Sequence, residues 1–172
     1  MIVLDTNVIS ELMRLRPERL VFDWVARQSP ASLYITTITQ AEILYGLARL
    51  PAGKRRAEME AQYRATLTEE FGGRVLSFDP AAAEAYGPMM ARIQRQGRPT
   101  DTHDVQIAAI AMSRGAAVAT RNMADFANLG IALIDPWTVG IAAATFLVLW
   151  RFKVSELWLI GAAAVIGLVI GM

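Results

Sequence analysis

Three carboxylates stand where an apolar run gives way to a helix start. Asp5 follows Ile2-Val3-Leu4, Glu42 comes shortly after Leu33-Tyr34-Ile35-Thr36-Thr37, and Asp104 opens the apolar-patterned stretch from Thr102 to Arg114. Beyond Ala116 to Thr120 come Asn122 and Asp125. In an open parallel sheet the ligand crevice lies outside the carboxyl ends of the strands, so these side chains converge if the apolar runs are parallel strands. Clustered carboxylates repel one another, and such a cluster persists where a divalent cation offsets the repulsion. Mg²⁺ is the natural candidate, because it takes oxygen ligands, often only one or two carboxylates, and keeps waters and substrate phosphates around it.

Each acid also has a purely structural reading. Thr39-Gln40-Ala41-Glu42 matches a capping box, in which the glutamate reaches back to the threonine amide. Asp5 can cap the helix that carries Val8 and Ile9, and Asp104, three residues after Asp101, can complement a helix dipole. Capping explains each residue singly and leaves their convergence unexplained. The chain has no cysteine, which excludes disulfides, thiolate metal sites and thiol nucleophiles, and only one histidine, His103.

The elements that must position these groups alternate. Strand patterns at 2–4, 33–37, 75–78, 116–120 and 131–134 are separated by helical patterns, with Pro80 at a helix start and Gly115 as a helix cap. Continuous apolar strands between helices give an α/β fold, a parallel sheet covered on both faces. The 172 residues carry 17 basic and 16 acidic side chains; setting aside Arg151, Lys153 and Glu156 leaves residues 1–137 with 15 of each. A nucleic-acid partner must therefore be gripped locally and not by a global basic field. The apolar strand at the N-terminus lacks the pattern of a secretory signal, so a cytoplasmic location is expected.

Five ordered blocks resemble the VapC/FitB-like family of PIN-domain toxins: Met1 to Ser10, Ile38 to Gly46, Asp104 to Ala109, Ala119 to Phe126, and Ile134 to Trp137. The resemblance covers residues 1–137. It implies a PIN-like fold, metal-dependent endoribonuclease activity with Mg²⁺ or Mn²⁺, a homodimer, and an antitoxin that blocks the site. Asp5, Glu42 and Asp104 match the family's acidic positions. Many relatives carry an acid where this chain has Asn122, so the fourth role falls to Asn122 or to Asp125. In this scheme Asp5 and Asp104 hold the cation while Glu42 orients the attacking water or a second cation. Thr120 and Asn122 hydrogen-bond to the phosphate or a metal-bound water, and Arg98 and Arg121 neutralise phosphates from nearby loops. His103, where relatives carry a small residue, reads as a solvent-facing first-turn side chain.

Two other readings use similar parts. A phospho-accepting receiver domain would need a lysine after a later strand, which the segment following Phe78-Asp79-Pro80 lacks; a haloacid-dehalogenase-type phosphatase would need an aspartate where Asn7 stands. A PIN-like module that binds RNA or a partner without cleaving is kept open by Asn122.

Residues 138–172 form a separate region, almost wholly apolar, that raises the mean hydropathy to +0.33. Arg151, Lys153 and Glu156 argue against one long membrane span, since each would cost roughly 2.5–3.5 kcal/mol at mid-bilayer. Residues 157–172 are expected to give a short hydrophobic helix and a membrane tether that leaves the nuclease in the cytoplasm. The tail also resembles the C-terminal end of chromate-transporter-type membrane proteins, which would make it a fusion scar.

Overall fold

Among the described residues five short strands and seven α-helices follow one another: β1 (Ile2–Leu4), α1 (Thr6–Leu12), α2 (Arg19–Ala26), β2 (Leu33–Thr36), α3 (Thr37–Ala48), α4 (Lys54–Glu69), β3 (Val75–Leu76), α5 (Pro80–Arg95), α6 (Thr102–Ser113), β4 (Ala117–Ala119), α7 (Met123–Phe126) and β5 (Leu133–Ile134). The computed structural model describes residues 1–97 and 99–138. Arg98 and residues 139–172 lie outside the described residues, and so do the expectations of a phosphate contact at Arg98 and of a hydrophobic helix or membrane tether at 157–172. Among the described residues no helix is long and apolar enough to cross a membrane.

The sheet is parallel throughout, in the order β3-β2-β1-β4-β5. The chain builds outward from β1 through β2 to β3, then crosses back to place β4 on the other side of β1. Right-handed crossovers in the two directions put helices on opposite faces, and the core divides accordingly. Val3 and Val118, paired in register, face Met89, Val105, Ala108 and Phe126. Leu4 and Ala119, the next pair, face Val8, Val21, Ile43 and Tyr63. Period-two alternation along strands buried on both faces explains why they read as continuous apolar runs.

Helix ends follow their local chemistry. Asp79 caps α5 through the Ala82 N–H at 3.0 Å, with Pro80 in the first turn. Gly115, at φ +60°, ends α6 in the left-handed conformation that lets the Ala116 N–H return to the Ala111 carbonyl at 2.9 Å. The reversal of build direction between β1 and β4 is a topological switch point, and the carboxyl ends of those strands are Leu4 and Ala119.

Candidate active site

Asp5 follows β1 directly and is the N-cap of α1. Its N–H still donates to the Ala119 carbonyl at 3.0 Å, while its Oδ1 accepts from the Thr6 N–H at 2.7 Å. Asp5 therefore caps α1, as its structural reading expects, while its other oxygen stays at the strand ends where the crevice opens. Its Oδ2 accepts from the Thr120 hydroxyl at 2.7 Å and the Asn7 amide at 2.6 Å, which ties β1 to β4 across the switch point. The residue is 4% exposed. Burial pushes its pKa up; hydrogen bonds from Thr120 and Thr6 pull it down, and the Glu42 and Asp125 carboxylates push it up further.

Thr120 departs from the sequence expectation. It is fully buried, and its hydroxyl donates to Asp5 while accepting from the Asn7 amide at 3.0 Å and the Asn122 N–H at 2.9 Å. With its proton and both lone pairs engaged, it holds Asp5 and is not available to a phosphate. Asn7 completes the junction by accepting the Arg121 N–H at 3.2 Å. Sequence reasoning used Asn7 only to exclude a phosphatase; the signal available was an amide two residues beyond an N-cap aspartate, in the first helical turn and facing the same crevice.

Glu42 enters from α3, and the capping-box reading of it fails. The cap of α3 is Thr36, whose hydroxyl accepts the Thr39 N–H at 3.0 Å, and Thr39 is buried inside the first turn. The helix starts three residues earlier than a Thr39 cap requires, so Glu42 lies one turn in and points across to α1, accepting the Thr6 hydroxyl at 2.5 Å through Oε2. His103 is half-exposed, with Nδ1 3.5 Å from Glu42 Oε1 and 3.4 Å from Asp101 Oδ1. It is not simply solvent-facing.

Asp104 lies in the first turn of α6, but the cap there is Asp101, which accepts the His103 N–H at 2.9 Å. Among the described residues no donor meets the Asp104 carboxylate. Burial first, then the Asp5, Asp101, Asp125 and Glu42 carboxylates, push its pKa up to about 7. Asn122 caps α7, and its amide donates to Asp125 Oδ2. Of the two candidates for the fourth position, Asp125 is the one whose charge acts on both Asp5 and Asp104. Arg121 lies at the same rim, its guanidinium 5.4 Å from the centroid of the Trp137 ring.

Asp5, Glu42, Asp104 and Asp125 thus face one crevice at the switch point. The donor set is all oxygen and mutually repulsive, and among the described residues no cation acts on Asp5 or Asp104. That chemistry fits a hard divalent cation. Among the described residues no three acidic or histidine side chains are placed to hold an ion together; Mg²⁺ needs only one or two carboxylates and keeps waters as its other ligands. Beside the crevice an open groove of about 770 Å³ runs from Glu42 between α1, α3 and α4, with Met13, Ile43, Leu47 and Met59 in its wall and Arg14 and Arg55 along it.

The PIN domain family model matches residues 2–131. A VapC ribonuclease of Sinorhizobium fredii is 42% identical over 137 residues, which cover 80% of this chain and 98% of that protein. Toxin FitB of Neisseria gonorrhoeae is 34% identical over 137 residues, 80% of this chain and 99% of its own length. The crystal structure of FitAcB from Neisseria gonorrhoeae superposes with a TM-score of 0.74 at 34% identity, covering 80% of this chain and 99% of that one. The likeness of the tail to chromate-transporter-type proteins is not borne out by these relatives, whose lengths are almost entirely taken up by the match. With the five-stranded parallel sheet and the acidic crevice at its switch point, these likenesses establish that the chain belongs to the PIN-domain family, beside its VapC and FitB-like members.

Proposed function

We propose that this chain is a metal-dependent endoribonuclease, the toxin of a type II toxin–antitoxin pair, acting in the cytoplasm on RNA. The observation that carries this reading is the convergence of Asp5, Glu42, Asp104 and Asp125 at one crevice, where burial and like charge push the Asp104 pKa up to about 7. Asp5 and Asp104 would hold the cation, Mg²⁺ first and Mn²⁺ as a substitute. Bound there, it supplies Lewis-acid polarisation of a phosphate oxygen and of the attacking water.

The chain's own side chains set the geometry. Thr6, Asn7 and Thr120 fix both oxygens of Asp5. Glu42, held at one oxygen by Thr6, offers the other to the attacking water. Arg121, at the rim, offers a positive charge to a phosphate, the local grip that a balanced net charge requires. Asp125 takes the fourth acidic role and Asn122 positions it through the amide contact. On this reading the departure at Asn122 does not by itself favour a non-cleaving module.

The relatives include a VapC ribonuclease and a protein named a toxin, and the solved FitAcB and VapBC complexes of such relatives support an antitoxin partner for this chain. The groove beside Glu42 gives such a partner an apolar face next to the acids. We further assign the nuclease to residues 1–137, as a homodimer, with the tail as a separate region. The decisive experiment is cleavage of single-stranded RNA by the full chain with Mg²⁺. Activity abolished by a chelator, restored by Mg²⁺ or Mn²⁺ and absent from Asp104→Asn supports the reading; cleavage that survives the chelator overturns it.

A further inference from the structure

We propose that His103 is a positioning residue that fixes Glu42, an inference that rests on the reading of Glu42 as the carboxylate that orients water. Glu42 reaches the crevice from α3 on a side chain with three rotatable bonds, and its two oxygens are held from different elements. Oε2 receives the Thr6 hydroxyl at 2.5 Å, from the start of α1. Oε1 faces His103 Nδ1 at 3.5 Å, from the start of α6. The imidazole is itself anchored: Asp101 Oδ1 lies 3.4 Å from the same Nδ1 and accepts the His103 N–H at 2.9 Å while capping α6. A ring nitrogen that faces two carboxylate oxygens carries the hydrogen. His103 Nδ1 therefore lies within ion-pair distance of both the cap of its own helix and Glu42, and links the helix bearing Asp104 to the helix bearing Glu42. Neither the acidic pattern nor the capping pattern of the sequence requires a histidine here.

The arrangement distinguishes the two ring nitrogens, and substitution can read that difference. In His103→Asn the amide nitrogen falls near the place of Nδ1, whereas in His103→Gln it falls nearer the place of Nε2. His103→Ala should lower kcat by about tenfold with KM little changed, the size of one lost hydrogen bond in the transition state. His103→Asn should recover most of that loss and His103→Gln should not. Melting temperatures are measured alongside, because a half-exposed first-turn position should tolerate all three. In metal-free protein the side-chain carboxyl ¹³C resonance of Glu42 should move in the Ala and Gln variants and return towards wild type in the Asn variant. The proposal is overturned if Gln recovers activity as well as Asn does, or if the loss is confined to KM, since either result gives the far edge of the ring a direct contact with RNA. An unmoved Glu42 resonance in His103→Ala overturns it whatever the kinetics. If the wild-type chain cleaves no RNA, the functional reading fails, while the resonance still decides whether His103 holds Glu42.

Discussion

Asp5 and Asp104 lie in the same crevice and are held in opposite ways. At the junction of β1 and β4, Asp5 is 4% exposed, yet Thr6, Asn7 and Thr120 all donate to it. At the start of α6, Asp104 meets burial and four neighbouring carboxylates, with no described donor to relieve them. The junction is finished as a structure before any ligand arrives. The α6 side is left electrostatically incomplete, and a cation would complete it. On the proposed reading, one acid would fix where the ion goes and the other would supply the need for it.

The largest expected effect separates the two acids by stability while leaving them alike in activity. Asp5→Asn and Asp104→Asn should each lower RNA cleavage by at least about hundredfold, since each removes a charged ligand and not merely its support. In metal-free buffer the melting temperatures should diverge. Asparagine at position 5 turns an acceptor into a donor against the Thr120 hydroxyl or the Asn7 amide, which costs about 1–3 kcal/mol. Asparagine at position 104 removes a repelled charge and should raise the melting temperature by about 2–4 °C for each kcal/mol relieved. Calorimetry of both variants checks this; two destabilised proteins would break the contrast.

Protons and cations should compete at the α6 side. Asp104 has a folded pKa of about 7, above its ordinary 3.8, so its contribution to stability is fully present below the unfolded value and is lost as pH rises through about 7. The raised pKa of Asp5 acts in the same direction. Metal-free protein should therefore lose melting temperature between roughly pH 4 and pH 7 through these groups, and Asp104→Asn should flatten the trend. Added Mg²⁺ should stabilise strongly at the upper end of that range and weakly at the lower end, where protons already neutralise the carboxylates. Equal stabilisation at both ends would place the ion elsewhere.

The same contrast governs what was legible in the sequence. Asp5, Glu42 and Asp104 could be found because each follows a strand or opens a helix, and because the alternation of apolar strands with helices fixed the side of the sheet on which they meet. The role of Thr120 could not be found, because a hydroxyl next to a crevice reads equally as a ligand to substrate or as a buried support. Only the depth of β4 and the reach of Asn7 decide between them. Glu42 was recognisable as an acid in the right place, but a helix beginning at Thr37 and not after Thr39 was needed to free it from the cap. His103 became informative only once α3 and α6 were seen side by side.

Thr120→Val tests the finished side of the crevice with an isosteric change. It removes the donor to Asp5 and the acceptor for Asn7 and Asn122 from a fully buried position, which should cost about 1–3 kcal/mol of stability. Metal affinity should fall by about 10–100-fold, the usual consequence of losing a group that orients a ligand. Titration calorimetry with Mg²⁺ or Mn²⁺ measures the second effect. Retained affinity would show that Thr6 and Asn7 suffice to hold Asp5.

The smallest expected effect concerns the fourth position, where the incomplete side could still be improved. Asp125 acts electrostatically on both Asp5 and Asp104, and the Asn122 amide donates to it. Asp125→Ala should therefore weaken metal binding by several-fold, whereas Asn122→Ala should weaken it less, because it loosens the acid without removing its charge. Asn122→Asp sharpens the comparison further: with two adjacent carboxylates it should lower metal-free stability by adding to the repulsion around Asp104 and strengthen metal binding by adding a charged ligand. If Asn122→Ala instead proves more damaging than Asp125→Ala, the amide is the ligand, Asp125 is its support, and the fourth role belongs to the neutral side chain.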